Sequence, residues 1–275
     1  MNTFQSGQIV INNTEEIISE INTLIHVSLD AAWMANGWRI IDSGASNTDV
    51  HPLINTAYLA YQHINQFIKE GNSGITPEIF EITEIAMKIN ALRKNNVPGL
   101  QTRLTRLMSP DFTLYRTARY EIQIAGMLLS RGHQVEFIEE GKDKTPDILV
   151  THPVGKAEIE CKHKEPMEDQ LDYVKSIYNN TQTARRQFSK EFPGVIFIEI
   201  DRSRFDEFQT ERARLEQEIF RALRNSSSIS AILLTSKINL EDNNDYILRH
   251  RVAGFSSKNA RHSIPDWLSK NLANH

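Results

Sequence analysis

Pro146-Asp147-Ile148-Leu149-Val150, the turn His152-Pro153-Val154-Gly155 and the return run Lys156-Ala157-Glu158-Ile159-Glu160-Cys161-Lys162 make up the stretch whose reading decides the fold. Proline donates no ladder hydrogen bond, so Pro146 opens a strand or lies at its edge, and Asp147 leads the apolar run behind it. The turn then sends the chain back as a second strand. Side chains alternate faces along a strand, which puts Glu158, Glu160 and Lys162 on one face and Ala157, Ile159 and Cys161 on the other, the core face. Asp147 can therefore meet Glu160 across the hairpin. Two convergent carboxylates repel each other unless a cation holds them, and a hard divalent ion suits a few carboxylates plus phosphate oxygens.

The flanking sequence supplies a layered framework. Ser109-Pro110-Asp111 starts a helix that stops at Arg131-Gly132, and on it Leu114, Ala118, Glu121, Ala125 and Leu128 share one stripe. Glu121 is thus a carboxylate set among apolar neighbours, where desolvation is costly without a partner. Strands are expected over residues 134–139, 147–150 and 156–163, then a helix over 169–191 and a buried strand over 195–200. A helix over 208–224, a strand over 231–234, an edge strand over 246–252 and a short helix near Trp267 complete the set. This alternation predicts an α/β fold, a three-layer α/β/α sandwich with a mixed central sheet. The first 99 residues read as an all-α amino-terminal domain. Asn13 caps a helix carrying Ile17, Ile21, Leu24 and Ile25; residues 54–70 form a second, ending at the glycines of 71–74; and Thr76-Pro77-Glu78 starts a third. The breaker Asn95-Asn96-Val97-Pro98-Gly99 marks the boundary with a second domain, residues 100–275.

Pro146-Asp147 followed by Glu160-Cys161-Lys162 resembles the PD-(D/E)xK nuclease superfamily, over about residues 109–201. The resemblance implies a restriction-endonuclease-like fold and an Mg2+- or Mn2+-dependent nuclease, with DNA favoured over RNA as the nucleic-acid partner. It implies catalytic roles for Glu121, Asp147, Glu160 and Lys162. The metal would be held by Asp147, Glu160 and the backbone carbonyl of Cys161, with Glu121 serving a second ion directly or through water. A polar residue on the following helix often joins such sites, and Gln182 and Gln187 both qualify. The alternative is an inactive nuclease-fold module that binds nucleic acid or protein, with the amino-terminal helices as the interaction domain.

Composition bounds these readings. One cysteine among 275 residues excludes an internal disulfide and a multi-cysteine zinc site, and suits a reducing cytoplasm. Nothing resembles a signal peptide or a membrane span, so the expectation is a cytoplasmic protein without membrane contact. Net charge is -4, but residues 1–98 hold five basic against ten acidic side chains. The acidic surplus is amino-terminal, which suits a protein partner or a homodimer contact there better than DNA. Basic residues gather later, as Arg103, Arg106, Arg116 and Arg119 and again as Arg185, Arg186 and Lys190, and either group can meet phosphates. Trp33, Met34 and Trp38 read as core, with partner exposure as the other possibility, and His26, His51 and His63 form no metal-ligand spacing.

Overall fold

The computed structural model describes residues 3–11, 14–44, 50–70, 76–139, 141, 145–163, 173–200, 202–242 and 245–273. The expected Asn13 cap, the stop at 71–74, the turn at 142–144 and the first turn of the 169–191 helix lie outside them.

Among the described residues, seven strands form one mixed sheet in the order β1-β7-β6-β5-β4-β3-β2. They are β1 (Thr3–Ile11), β2 (Gln134–Phe137), β3 (Ile148–His152), β4 (Gly155–His163), β5 (Gly194–Glu199), β6 (Ile229–Asp242) and β7 (Asp245–Ser256). β2, β3 and β4 form an antiparallel meander, β4, β5 and β6 run parallel, and β7 and β1 return antiparallel. The two parallel steps are crossed by α7 (Tyr173–Ala184) and α8 (Arg202–Arg224). Successive crossovers in one direction share a hand and so cover one face. There Val174, Ile177, Leu215 and Ile219 pack on Ile196, Ile198, Ile232 and Phe255.

The opposite face carries α1 (Thr14–Thr23), α2 (Ala31–Asp42), α3 (Pro52–Glu70), α4 (Pro77–Lys94), α5 (Leu100–Leu107) and α6 (Phe112–Ser130). Ile21, Leu53, Ile85, Ala118 and Ala125 of these helices belong to the same buried cluster as Ile148, Ile159, Cys161, Val195 and Phe197 of the sheet. The molecule is therefore an α/β sandwich with helices on both faces. Among the described residues no helix is long and apolar enough to cross a membrane.

Two sequence expectations need correction. The first 99 residues are not all helical, because Thr3–Ile11 is the edge strand β1. Its partner lies more than 200 residues away, so no local pattern announces the pairing, and the register skips Gly7 in a bulge. For the same reason residues 246–252 are not an edge: they belong to β7, paired on both sides. The segment holding Trp33, Met34 and Trp38 is the helix α2, capped by Asp30 Oδ1, which accepts from the N–H groups of Ala32 and Trp33. Met34 is buried and both tryptophans pack on the core.

The breaker at residues 95–99 is a tight turn between packed helices. Gly99 has φ +75, and a Cβ there would stand 2.5 Å from the carbonyl oxygen of Phe137. Phe137 N–H in turn donates to Pro98 O at 3.0 Å. Only glycine fits both that conformation and that approach, and the result is α5 laid against β2.

Candidate active site

The hairpin of β3 and β4 pairs Ile148 with Ile159, which sets Asp147 opposite Glu160. Asp147 N–H donates to Ile159 O at 3.0 Å, and Asp147 Oδ2 accepts from Cys161 N–H at 2.6 Å. That bond turns the Asp147 carboxylate onto β4. Glu160 is wholly buried, and neither of its carboxylate oxygens has an aligned hydrogen-bond donor. Lys162, two residues on and on the same face, forms an ion pair with Glu160 Oε1 and keeps about a quarter of its side chain exposed. Glu121 approaches from α6. The structure thus brings Asp147, Glu160 and Lys162 together, and Glu121 adjoins Asp147.

Cys161 enters the cluster through its backbone. Its thiol faces the core, and burial pushes it well above the usual thiol range. Gln187, in the turn after α7, has its side chain beside Glu160 and donates through Nε2 to Thr145 O at 3.4 Å. Gln182 has a buried, unpartnered Nε2. Gln187 is the polar residue adjoining the cluster.

Arg103 is a component that sequence reasoning placed elsewhere. It does not face phosphate. Its side chain is 1% exposed, Nε donates to Glu121 Oε2 at 2.7 Å, and one terminal nitrogen donates to Ile138 O at 2.9 Å and Asp147 O at 3.3 Å. A readable signal existed: Leu100, Leu104 and Leu107 place Arg103 beside the buried stripe of a short helix. Arg119 is likewise committed, to Glu81 at 2.9 Å and Glu199 at 3.5 Å.

Protonation follows from this crowding. Burial, then the charge of Asp147, pushes Glu160 up to about 8 against the pull of Lys162. Burial and Asp147 likewise raise Glu121 to about 7 against Arg103 and Arg106. Asp147 is also raised by burial, with Cys161 N–H, Lys162 and Arg103 opposing. Lys162 moves the other way from its burial, because Glu160 and Asp147 hold it charged. Near neutral pH the cluster therefore shares a proton among its acids unless a further cation relieves them.

Among the described residues, no group of three or more His, Cys, Asp or Glu side chains is set out to hold a metal ion. The donor set is smaller: Asp147 and Glu160, with Glu121 bound to Arg103. Two carboxylates on paired strands, one of them wholly buried with Lys162 at its Oε1, fit a hard divalent ion that keeps part of its water shell. Lys162 compensates Glu160 only in part, since burial and the charge of Asp147 still push that acid up.

On the opposite face, at the carboxyl ends of β4 and β5, lies a second polar cluster. His163 Nδ1 and Glu199 Oε2 are 2.5 Å apart, and Arg119 and Lys237 add positive field. Burial alone would raise Glu199, yet His163, Arg119 and Lys237 outweigh it and hold the carboxyl at about 2. A depressed acid contributes stability above its unfolded pKa and loses it as pH falls through the folded value. The Glu199→Gln variant should therefore be less stable than wild type by about 3 kcal/mol at pH 6, a gap that closes between pH 4.5 and 2. Urea midpoints across that range measure it, and a constant gap down to pH 2.5 would assign the loss to packing instead.

Comparison of the chain with protein-family models, with curated proteins and with solved structures finds no match.

Proposed function

We propose that this protein is a divalent-metal-dependent nuclease that hydrolyses phosphodiester bonds of nucleic acid, with DNA favoured over RNA, on a restriction-endonuclease-like fold. The observation that carries the reading is Glu160. It is a wholly buried carboxylate set across a strand pair from Asp147, with Lys162 of the same face paired to its Oε1. Two acids brought this close out of water repel each other unless a cation holds them.

Asp147, Glu160 and the Cys161 carbonyl would hold the ion, and Glu121 would close the set from α6. A bound Mg2+ or Mn2+ would neutralise charge developing on the phosphate and acidify an attacking water. Lys162 would donate to that water or to a phosphate oxygen, offsetting negative charge as the bond to the leaving oxygen breaks. Gln187 would steady Glu160, and Cys161 N–H fixes the rotamer of Asp147.

The deciding experiment incubates the purified protein with labelled single- and double-stranded DNA and RNA in Mg2+, Mn2+ or EDTA. Metal-dependent cleavage is expected, lost in Asp147→Asn. Intact substrates across the whole panel would overturn the reading.

A further outcome concerns Glu160 itself. An acid whose folded pKa is raised loses stability as pH climbs from its unfolded value toward the folded one, here from 4.5 to about 8. In EDTA, Glu160→Gln should match wild type at pH 4.5 and exceed it by a few kcal/mol at pH 8. Millimolar Mn2+ should raise the melting temperature of wild type and leave that of the variant unchanged. Equal Mn2+ shifts in both proteins would remove the ion from this position.

A further inference from the structure

The carboxyl-terminal end of α8 and the residues after β7 enclose a cavity of about 490 Å3, a volume in the range of small-ligand sites. Phe220 lines it. Its ring is 45% exposed and packs at right angles to that of buried Phe255, with centroids 6.1 Å apart, so the ring is held in place while much of it stays open. Arg224 and Lys258 line the same cavity with Ser257 and Asn259, and among the described residues no carboxylate does. The wall is ordered: Ser257 N–H donates to Ser230 O at 2.9 Å, and Ser257 Oγ accepts from Asn259 N–H at 3.2 Å. An aromatic surface beside two cations matches the base and phosphate of a nucleotide.

The surroundings join this cavity to the candidate active site. Arg185 donates to Asn225 O at 3.3 Å beside Arg224, and Arg261 donates to Lys190 O at 3.4 Å. The turn at residues 185–190 therefore touches the cavity's neighbours on one side, while Gln187 within it lies beside Glu160 on the other. Arg186, Lys190, Lys258 and Arg261 are exposed along this path. Glu158, the nearby acid of β4, is engaged, accepting from Ser189 N–H at 2.7 Å. Glu160 pairs with Ile196, Ile196 with Ile232, and Ile232 with Phe255, three strand spacings or roughly 15 Å along one row of the sheet.

We infer that the cavity formed by Phe220, Arg224 and Lys258 is a nucleotide subsite for an unpaired stretch of the nucleic acid whose scissile phosphate lies at Asp147 and Glu160. An unpaired base lies on Phe220, and the phosphate beside it is held by Arg224 and Lys258. The strand then follows the exposed cations toward the carboxylates. This rests on the nuclease reading for its far end, but the subsite binds whether or not cleavage occurs.

The test is fluorescence anisotropy in EDTA with a labelled single-stranded oligonucleotide and its duplex, using wild type, Phe220→Ala and the double variant Arg224→Glu/Lys258→Glu. Phe220→Ala should weaken single-strand binding at least fivefold and duplex binding less than twofold. The double charge reversal should weaken both and flatten the dependence of log affinity on log salt by about two phosphate contacts. All substituted cavity positions are at the surface rim, and unchanged melting temperatures verify the fold. Affinities within twofold of wild type for both cavity variants overturn the subsite while leaving Mg2+-dependent cleavage to stand by itself. Displacement of the strand by submillimolar nucleoside monophosphate would assign the cavity to a free nucleotide and overturn the strand path. Loss of binding in the cavity variants of a protein that cuts nothing keeps the subsite and removes the nuclease reading.

Discussion

Lys162→Ala is expected to lower the cleavage rate by about 10²- to 10³-fold, the size of effect found when one preorganised donor to a developing negative charge is removed. The fold should survive, since the Lys162 side chain is about a quarter exposed and faces the carboxylates rather than the apolar core. Metal binding separates this role from that of the acids. Lys162 forms an ion pair with Glu160 Oε1 and so competes with any other cation for that oxygen. Calorimetry should therefore show Mn2+ binding retained in Lys162→Ala and tighter than in wild type, and absent in Asp147→Ala. Removing the ammonium also removes the charge that opposes the upward shift of Glu160. The variant's Mn2+ affinity should accordingly depend on pH more steeply between pH 6 and 9. Cleavage by Lys162→Ala at the wild-type rate would make it an ordinary strand lysine and move any nuclease activity to another site.

What the sequence made legible was local. Alternation along Lys156–Lys162 assigned the faces of β4 correctly, because side-chain direction in a strand has period two whatever the surrounding fold. The stripe on α6 likewise marked Glu121 as a carboxylate among apolar residues, and the structure finds it 1% exposed. Partners from distant sequence were not legible. Arg103 reads as one member of a basic group, since nothing within α5 records that Ile138 O, Asp147 O and Glu121 wait on the far side of a turn. β1 was unreadable for a related reason: the ladder bonds that order it come from residues 246–253. Choosing Gln187 over Gln182 needed the end of α7, which the structure places at Ala184 and helical periodicity alone carries on to 191. Local pattern states which face a side chain takes, and tertiary placement states what it meets there.

Arg103 yields the largest expected effect on stability. Its guanidinium is among the largest fully buried side chains, lies 5.1 Å from the centre of the Phe137 ring, and bonds one carboxylate and two carbonyls. Breaking a buried ion pair by removing one partner leaves the other charge uncompensated and costs about 3–5 kcal/mol. In Arg103→Ala the remaining group is Glu121, already pushed up by burial and by Asp147, so it takes a proton as its pKa climbs further. The loss should be largest at alkaline pH and smaller below the ordinary carboxylate range, where a neutral Glu121 needs no counter-charge. Against a total stability of about 5–15 kcal/mol, this unfolds a measurable fraction of the protein at 37 °C. Arg103→Met/Glu121→Leu removes both charges and keeps much of the volume, so it should recover most of the lost stability. Urea denaturation of Arg103→Met, Glu121→Leu and the double variant measures the coupling, beside that of Arg103→Ala. A cost below about 1 kcal/mol for Arg103→Ala, or no recovery in the double variant, would mean that the pair is solvated in solution. The same proteins separate structure from binding: Arg103→Met should leave the salt dependence of nucleic-acid affinity unchanged, because a guanidinium closed over Glu121 has no phosphate to release counterions from.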